Sequence, residues 1–325
     1  MTSIELIVEK YSHSRKQQWD LFIDRAKNSH FMHKRDYMDY HADRFVDCSL
    51  ILRSREDEII ALFPANIDND VVYSHQGLTF GGLLIKSRTT LVTVIKCFEV
   101  IGSFLRSDFR VSEVLYKRVS DFYCRYPSQE DLYALFKMNA QLVRRDISSL
   151  IQLDARIGYT KGRKWSINRA RKAGVRITEV TDITQFWDLL MSVLEERFKT
   201  KPVHTEHEMS LLMRRFPGNI RCFVANTPDS SIMAGALVYE TEAVAHMQYL
   251  ACSPFGREVG ALDYLLDVLV GEIYIDKKYF DFGISTENDG RKLNEGLIAQ
   301  KEGFGARGFV HDFYKWDLRN LDVSQ

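Results

Sequence analysis

Apolar residues recur along this sequence with two different periods. In several segments they return every three or four positions, the spacing of one helix face, and the longest such segments are 89–105, 182–198 and 257–274. Elsewhere they alternate with polar residues or form short runs between turn residues, which predicts strands at 48–53, 59–67, 220–225, 232–239, 244–251 and 279–285. The pattern therefore predicts a mixed α/β (α+β) fold.

The predicted elements form two groups along the chain. The first group contains strands, a helix, a strand and a helix, and the second follows the order β-α-α-β-β-β-α-β-α-β. A chain of 325 residues is long enough for two domains of ordinary size. We therefore expect an N-terminal domain at 1–155 and a C-terminal domain at 156–325.

A basic segment marks the expected boundary. No acidic residue lies between Asp154 and Glu179, and a helix is predicted there that stops near Gly174. Such a charge run is often only a solvated helix face. Because the formal net charge of the whole chain is zero, however, this is also the one local site that would attract a phosphate or a polyanion. The basic residues are Arg156, Lys161, Arg163, Lys164, Arg169, Arg171, Lys172 and Arg176.

Composition excludes several classes of protein. The content of 45% hydrophobic and 27% charged residues is that of a globular protein. The N-terminus does not resemble a secretory signal, and Lys96 and Glu99 interrupt the most apolar long segment. The five cysteines are scattered without a CxxC spacing, so we expect neither a disulfide framework nor a metal site. These features predict a cytoplasmic protein with no transmembrane segment and no DNA partner.

Candidate chemistry is densest in the segment 279–305. We expect a strand, a polar loop and then a helix at 291–305, with Asp281 pointing away from its aromatic neighbours and Glu287 placed to orient an amine. Asn294 and Lys301 are seven residues apart and would share a helix face. Lys301 is either a phosphate contact or a side chain that extends past apolar neighbours to reach water.

A second group of candidates surrounds the strand predicted at 244–251. His246 and Gln248 share one face of this strand by its period of two. The turn that follows has glycines and an arginine just before an apolar helix, where the backbone N–H groups of the first helical turn bind phosphate well. The residues predicted to bind a cofactor here are Ala251, Gly256, Arg257, Val259, Gly260 and Ala261.

Three further residues are candidate substrate contacts. His204 comes directly before Thr205 and Glu208, whose spacing is that of a capping box, and it is either a substrate contact or a neighbour of the cap. His75 and Gln76 lie in the glycine-containing run 74–83. Its glycines predict either a twisted strand with a sharp corner or a point where the backbone approaches a neighbour closely.

The order of elements in the second half, the turn 257–261 and the tail from Phe280 to Gly305 resemble the GNAT superfamily of acyltransferases. Within it they are most similar to the FemAB-like branch, which has two tandem acyltransferase folds. The resemblance implies tandem GNAT-like folds with mostly antiparallel sheets flanked by helices. It also implies direct attack of an amine or hydroxyl on a thioester or an aminoacyl ester, with acyl-CoA bound at the turn 256–261.

The resemblance also suggests roles for individual residues. His246 lies on the strand that supplies the oxyanion N–H in that superfamily, which makes it the first candidate for the general base, although a satisfied core histidine is the alternative. Tyr314 is the candidate acid for the departing thiolate, and Asp281 is expected to point into the cleft. Lys301 matches the tail lysine of the family.

Three hypotheses on function follow. The first is an acetyl-CoA-dependent N-acetyltransferase that acts on an amino sugar or a nucleotide-linked sugar in cell-surface polysaccharide biosynthesis, with residues 1–155 shaping the acceptor site. The second is a FemX-like transferase that takes an aminoacyl group from tRNA for peptidoglycan cross-bridges. The third is a non-catalytic module that binds a polyanion through the basic segment.

Overall fold

The computed structural model describes residues 5–227, 229 and 231–319, apart from the side chain of residue 198. Within this part of the chain the residues form two compact units. The first unit draws its residues from Met1–Asp146, Asp289–Arg291 and Val310–Gln325, and the second from Ile147–Asn288 and Lys292–Phe309. The division into functional domains at residue 155 stays a prediction.

The first unit contains two sheets with helices. Strands β1, β3, β4 and β7 form an antiparallel sheet. A second group of strands has the order β17-β8-β6-β5-β2, where β17 is Arg307–Asp317, and only the pair β6 and β8 is parallel among the pairs described. Its elements are β1 (Leu6–Lys10), α1 (Lys16–Arg25), α2 (Arg35–Met38), β2 (Val46–Asp47), β3 (Leu50–Ser54), β4 (Ile59–Phe63), β5 (Asn66–Asp68), β6 (Val71–Tyr73), β7 (Leu84–Ile85), α3 (Leu91–Asp108), β8 (Glu113–Lys117) and α4 (Glu130–Lys137). Strand β9 (Gln141–Gln152) then carries the chain into the second unit.

The second unit is built on a sheet with the order β10-β11-β12-β13-β14-β9, in which only β13 and β14 are parallel among these described strands. Helix α5 packs against α9 on this sheet. The elements of the second unit after β9 are α5 (Lys161–Lys172), β10 (Arg176–Val180), α6 (Thr184–Phe198), α7 (Glu206–Arg215), β11 (Ile220–Asn226), β12 (Ile232–Glu240), β13 (Val244–Cys252), α8 (Pro254–Val259), α9 (Ala261–Val268), β14 (Tyr279–Ile284), β15 (Thr286–Glu287), β16 (Lys292–Leu293) and α10 (Glu295–Gly303). Most of β17 belongs to the first unit.

Each unit has its own apolar core. The core of the second unit forms where the apolar faces of β11, β12, β13 and β14 meet the apolar stripe of α9. The core of the first unit lies under α3 and includes Trp316 and Leu318 from the end of the chain. The predicted mixed α/β class with mostly antiparallel sheets is confirmed, and so is the order of elements in the second half.

Two predicted helices were wrong in their bounds. The helix expected at 257–274 begins earlier, at Pro254, and breaks at Gly260, whose φ of +83° is left-handed. A side chain at Gly260 would also meet the backbone oxygen of Ser166 at 2.5 Å, so this position needs glycine for two reasons. The helix expected at 291–305 covers only Glu295–Gly303, because the hairpin of β15 and β16 precedes it.

No helix in the described part of the chain is long and apolar enough to cross a membrane.

Candidate active site

Strands β13 and β14 run side by side over a short distance and then separate. Their parallel pairing covers Val244–His246 on one strand and Tyr279–Asp281 on the other, whereas β13 continues to Cys252. A bulge follows in β13, because Leu237 faces Tyr249 and Val238 faces Met247, which leaves Gln248 as the extra residue. The separation and the bulge together create a fork in the sheet of the second unit, and His246 and Asp281 face each other at its base.

The side chains at the fork form a continuous hydrogen-bonded array. His246 Nδ1 lies 2.7 Å from Asp281 Oδ2. The other carboxylate oxygen of Asp281 accepts hydrogen bonds from Ser148 Oγ at 2.6 Å and from the Gly283 N–H at 2.9 Å. Asp281 is 1% exposed, so these donors replace the water that its carboxylate loses on burial.

This array prepares His246 to accept a proton. When Nδ1 donates to Asp281, the lone pair of the neutral ring lies on Nε2. The His246 side chain keeps 14% of its surface exposed, so the ring is accessible from the fork. Gly283, at φ +75°, lets the backbone pass the ring closely, since a Cβ there would lie 3.4 Å from His246 Cε1. The two residues predicted separately as base and cleft-facing acid are therefore direct partners.

Lys301 joins α10 to the far end of β14. Its ammonium group donates to the carbonyl oxygens of Gly283 at 2.7 Å and Ile284 at 2.8 Å and to Ser285 Oγ at 2.8 Å. Burial lowers the pKa of Lys301 to about 8, against the opposing influence of the Asp281 carboxylate. These acceptors engage all three N–H groups of the ammonium, so Lys301 holds α10 against the end of β14. Its phosphate contact stays a prediction.

Asn294 and Glu287 form hydrogen bonds at the N-terminus of α10. Asn294 is the N-cap of α10, not an interior residue of it, and accepts the N–H of Leu297 at 3.0 Å. Glu287 pairs with Lys292 at 2.6 Å and accepts from Asn294 Nδ2 at 3.1 Å. The hydrogen bond from Lys292 is the main cause that lowers the pKa of Glu287. Their contact with a substrate stays a prediction.

The turn after β13 is helical. Ser253 caps α8 by accepting the N–H of Gly256 at 2.9 Å, and the N–H of Gly260 donates to the carbonyl of Gly256 at 3.0 Å. Arg257 folds back onto the carbonyl of Cys252 at 2.8 Å. Several amides of the predicted phosphate-binding turn are therefore satisfied within the turn itself.

An open cleft of about 930 Å³ lies beside this turn, entirely within the second unit. Of the six predicted cofactor contacts, Gly256, Arg257 and Gly260 line it. Ala251 and Ala261 are buried in the core and Val259 packs against it, so a cofactor contact from these three stays a prediction. The full lining is Thr160, Gly162, Arg163, Trp165, Ser166, Arg197, Cys252, Gly256, Arg257, Gly260, Leu262, Asp263, Ala299, Gln300, Glu302, Gly303 and Arg307.

The cleft carries an excess of positive charge. Four arginines line it together with two acidic residues, Asp263 and Glu302. Arg163 is paired with both carboxylate oxygens of Asp263 at 2.8 Å, so the net charge that remains comes from the other arginines. This arrangement suits a ligand with phosphate groups. The remaining arginines are Arg197, Arg257 and Arg307.

His204 and Gln248 both lie close to Tyr249 of β13. The ring of His204 is buried and its Nδ1 lies 2.7 Å from the hydroxyl of Tyr249, which also contacts Trp187 edge to face. Burial raises the pKa of Tyr249. The capping box of Thr205 and Glu208 is confirmed, and Gln248 is half-buried at the bulge. Substrate contacts from His204 and Gln248 stay predictions.

The first unit contains the other predicted residues. His75 has a left-handed φ of +85°, is buried, and stacks on His41 with ring centroids 5.5 Å apart. Both the side chain and the backbone N–H of Gln76 are bonded to Asn66, at 2.6 and 2.7 Å. Tyr314 donates to Asp312 at 3.3 Å, and burial raises its pKa. The close approach predicted for the segment 74–83 is present, because a Cβ at Gly81 would meet the carbonyl of Ser74.

Some members of the site gave no signal in the sequence. Ser148 lies more than a hundred residues before Asp281, and Arg197 and Arg307 lie far from the basic segment that predicted an anion site. Only the pairing of β9 with β14 brings Ser148 to the fork. Among the described residues, no cluster of three or more His, Cys, Asp or Glu side chains is arranged to hold a metal ion.

Neither a protein-family model nor a curated protein matches the sequence. Solved structures do match the fold. The crystal structure of FemX is similar over 96% of this chain and 97% of its own, with a TM-score of 0.68 and 9% identity. L-PGS from Bacillus licheniformis is similar over 97% and 94%, with a TM-score of 0.61 and 12% identity. A tandem GNAT protein from the clavulanic acid biosynthesis pathway is similar over 97% and 99%, with a TM-score of 0.52 and 12% identity.

These similarities show the fold. The chain has a tandem GNAT-like fold of the FemAB type, as the resemblance in its sequence predicted.

Proposed function

We propose that this chain, with its tandem GNAT-like fold, is an acyltransferase that transfers an acyl group from an activated donor to an amine, with His246 as the general base. The observation that carries the proposal is the array of His246, Asp281 and Ser148 at the fork between β13 and β14. A histidine that is held by a buried carboxylate and remains accessible is suited to accept a proton in the transition state.

The proposed reaction has three requirements. The amine nitrogen forms a bond to the acyl carbon, the bond from that carbon to the leaving group breaks, and one proton must move from the nitrogen to the leaving group. His246 Nε2 accepts the proton, and the Asp281 carboxylate stabilises the imidazolium that results. The same imidazolium can return the proton to the leaving group, while Tyr314 remains the acid predicted from the sequence.

Backbone amides of β13 supply the means to stabilise the oxyanion. The described pairing with β14 ends at His246, and the following stretch to Cys252 borders the fork. An N–H on this edge, next to the bulge at Gln248, would donate to the carbonyl oxygen as it gains negative charge. A fixed amide needs no reorientation during the reaction, so its contribution is largest in the transition state.

The donor we propose is acetyl-CoA. The arginine-lined cleft begins at Cys252, six residues after His246, and a strand of that length extends about 20 Å. A donor with its phosphates in the cleft therefore needs a long extended arm to bring its acyl carbon to His246, and coenzyme A has such an arm. The acceptor we propose is an amino sugar or nucleotide-linked sugar, with the first unit, including His75 and Gln76, shaping its site.

A second donor is favoured by a different observation. The amides of Gly256 and Gly260 are bonded within the turn, which reduces the number of donors available to a CoA diphosphate. The exposed lysines of α5, Lys161, Lys164 and Lys172, also extend the positive surface beyond the cleft. Both features suit an aminoacyl-tRNA donor, as in the FemX-like hypothesis.

An acyl-transfer assay with both donors tests the proposal. We expect the protein to transfer a labelled acetyl group from acetyl-CoA to amino sugars, or an aminoacyl group from charged tRNA to a peptidoglycan precursor, and His246→Gln to reduce the rate of the active reaction by about 10²- to 10⁴-fold. His207→Gln, on an exposed residue of α7, is the matched control and should have the wild-type rate. Transfer from neither donor, or an unchanged rate in His246→Gln, would contradict the proposal.

A further inference from the structure

One tryptophan differs from the other three in the protein because it is exposed. Trp165 on α5 lines the cleft and is 64% exposed, whereas the other three tryptophans, Trp19, Trp187 and Trp316, are buried. An exposed indole beside a cleft is more informative than a scattered apolar residue, because it offers a large flat surface to a ligand.

The indole of Trp165 packs against one neighbouring arginine. The guanidinium of Arg169, one turn along α5, lies 4.4 Å from its ring centroid. Arg169 also donates to the carbonyl of Arg257 at 3.4 Å, and Arg257 in turn donates to the carbonyl of Cys252 at 2.8 Å. These contacts connect the ring through Arg169 to the turn after β13, so the indole lies beside the positive cleft.

The cleft thus combines two kinds of recognition. Arg197, Arg257 and Arg307 provide positive charge for phosphate groups, and Trp165 provides a planar surface with a guanidinium behind it. Among biological ligands this combination fits a nucleotide, since the base stacks on an aromatic ring while its phosphates pair with arginines. Inorganic phosphate would use the arginines but not the indole.

We propose that Trp165 is a base-stacking platform for the nucleotide part of the acyl donor. This inference rests on the proposed function and deepens it, because it assigns the donor to the class of adenosine-bearing phosphates. Both candidate donors share that chemistry: coenzyme A carries a phosphorylated adenosine, and aminoacyl-tRNA ends in an adenosine joined to a phosphate backbone. Neither the turn 256–261 nor the tail 279–305 includes this residue.

The experiment is a set of titrations monitored by intrinsic fluorescence and by calorimetry. The probes are coenzyme A, an RNA minihelix that ends in CCA, and 4′-phosphopantetheine, which has the arm and a phosphate but no base. The variants are Trp165→Ala and Trp165→Phe, with Phe255→Ala as the matched control, since Phe255 is 55% exposed but does not line the cleft. Thermal unfolding checks that each variant is folded.

In the wild type, coenzyme A or the minihelix should change the fluorescence of the one exposed tryptophan, and which of them binds identifies the donor. Trp165→Ala should weaken that binding by about tenfold or more, as expected for the loss of one base stack, and leave 4′-phosphopantetheine unaffected. Trp165→Phe should keep most of the affinity and lose the fluorescence change, and Phe255→Ala should behave as the wild type.

The proposal is overturned if Trp165→Ala binds both adenosine-bearing probes as tightly as the wild type, or if neither probe binds the wild type. Its failure can be distinguished from that of the proposed function. Acyl transfer that depends on His246 but not on Trp165 would reject only the platform. Adenosine binding that depends on Trp165, in a protein without acyl transfer, would reject only the proposed reaction.

Discussion

Three histidines of the first unit differ from His246 of the second unit in their hydrogen-bond partners and in their exposure. In the first unit His33 and His41 contact the segment 74–83, which contains His75. His33 donates to the carbonyl of Phe80 and His41 to that of Gly77, each at 3.3 Å. Burial lowers the pKa of all three, that of His33 to about 4. In the second unit His246 faces a carboxylate and stays partly exposed.

The difference separates structural histidines from one that can act as a base. A neutral ring that donates to a buried carbonyl holds a loop in place, and protonating it costs free energy because burial removes the water that would solvate the charge. A ring beside a carboxylate gains stabilisation when it is protonated. Partner type and exposure, rather than the residue alone, therefore point to His246 as the base.

The largest effect should come from the carboxylate itself. Asp281→Asn removes the charge that stabilises the His246 imidazolium, and we expect single-turnover acyl transfer to fall by about 10²- to 10⁴-fold. Asp276→Asn, at an exposed position of the same unit, is the matched control and should retain the wild-type rate. A rate in Asp281→Asn within twofold of the wild type would remove the proposed role of the carboxylate.

The contrasting change in the first unit should affect stability and leave chemistry intact. His33→Leu removes two hydrogen bonds of a buried ring, one from the N–H of His30 and one to the carbonyl of Phe80, which should lower the free energy of unfolding by about 1–3 kcal/mol. Denaturant titration measures this loss, and kcat per folded molecule should be unchanged. If the variant had normal stability and a reduced kcat, the distinction between the structural histidines and His246 would be wrong.

A smaller effect is expected at Ser148, which acts on His246 only through Asp281. Ser148→Ala removes one of the donors to the carboxylate, so the acid can turn away from the ring, and we expect kcat to fall about tenfold with KM unchanged, a loss of about 1.4 kcal/mol. Ser148→Thr keeps the hydroxyl and should recover most of the rate. An equal loss in both variants would indicate a packing defect instead.

The smallest effect concerns Lys301 and pH. Its pKa in the folded protein is lowered to about 8 from an ordinary value of 10.5, so between these values the unfolded chain binds more protons than the folded one. Stability contributed through this group must therefore rise with pH across that window. Between pH 8 and 10, the free energy of unfolding of the wild type should increase relative to that of Lys301→Met, as measured by urea titration at each pH. If the free energies of unfolding of the wild type and of Lys301→Met changed in parallel with pH, the pKa of Lys301 would not be lowered in the folded protein.

Much of the fold could be predicted from the sequence because its signals are local. The three antiparallel strands, the strand 279–285 and the capping box at Thr205 depend on neighbouring residues, and the structure confirms them. The break at Gly260 could not be predicted, since it depends on the approach of Ser166 from another helix. The prediction of a helix at 291–305 was wrong in its start because the short strands β15 and β16 pair with each other before α10 begins.

The candidate site was predictable only in part. His246 and Asp281 were each recognisable as polar residues within apolar strands, but their contact depends on the parallel register of β13 and β14. Ser148 reaches Asp281 through a third strand that is distant in sequence. From the sequence, Lys301 is a helix residue that could reach water or phosphate. Only the folded structure shows that its ammonium group binds two backbone carbonyl oxygens of the neighbouring strand and loop.

Chemical rescue tests the central claim, that His246 is the base, most directly. His246→Ala leaves space for a small base beside Asp281 at the fork, so the variant should transfer the acyl group at least a hundredfold more slowly than the wild type. Added imidazole should restore the rate in proportion to its concentration as free base. Transfer by His246→Ala at the wild-type rate without imidazole would contradict the account.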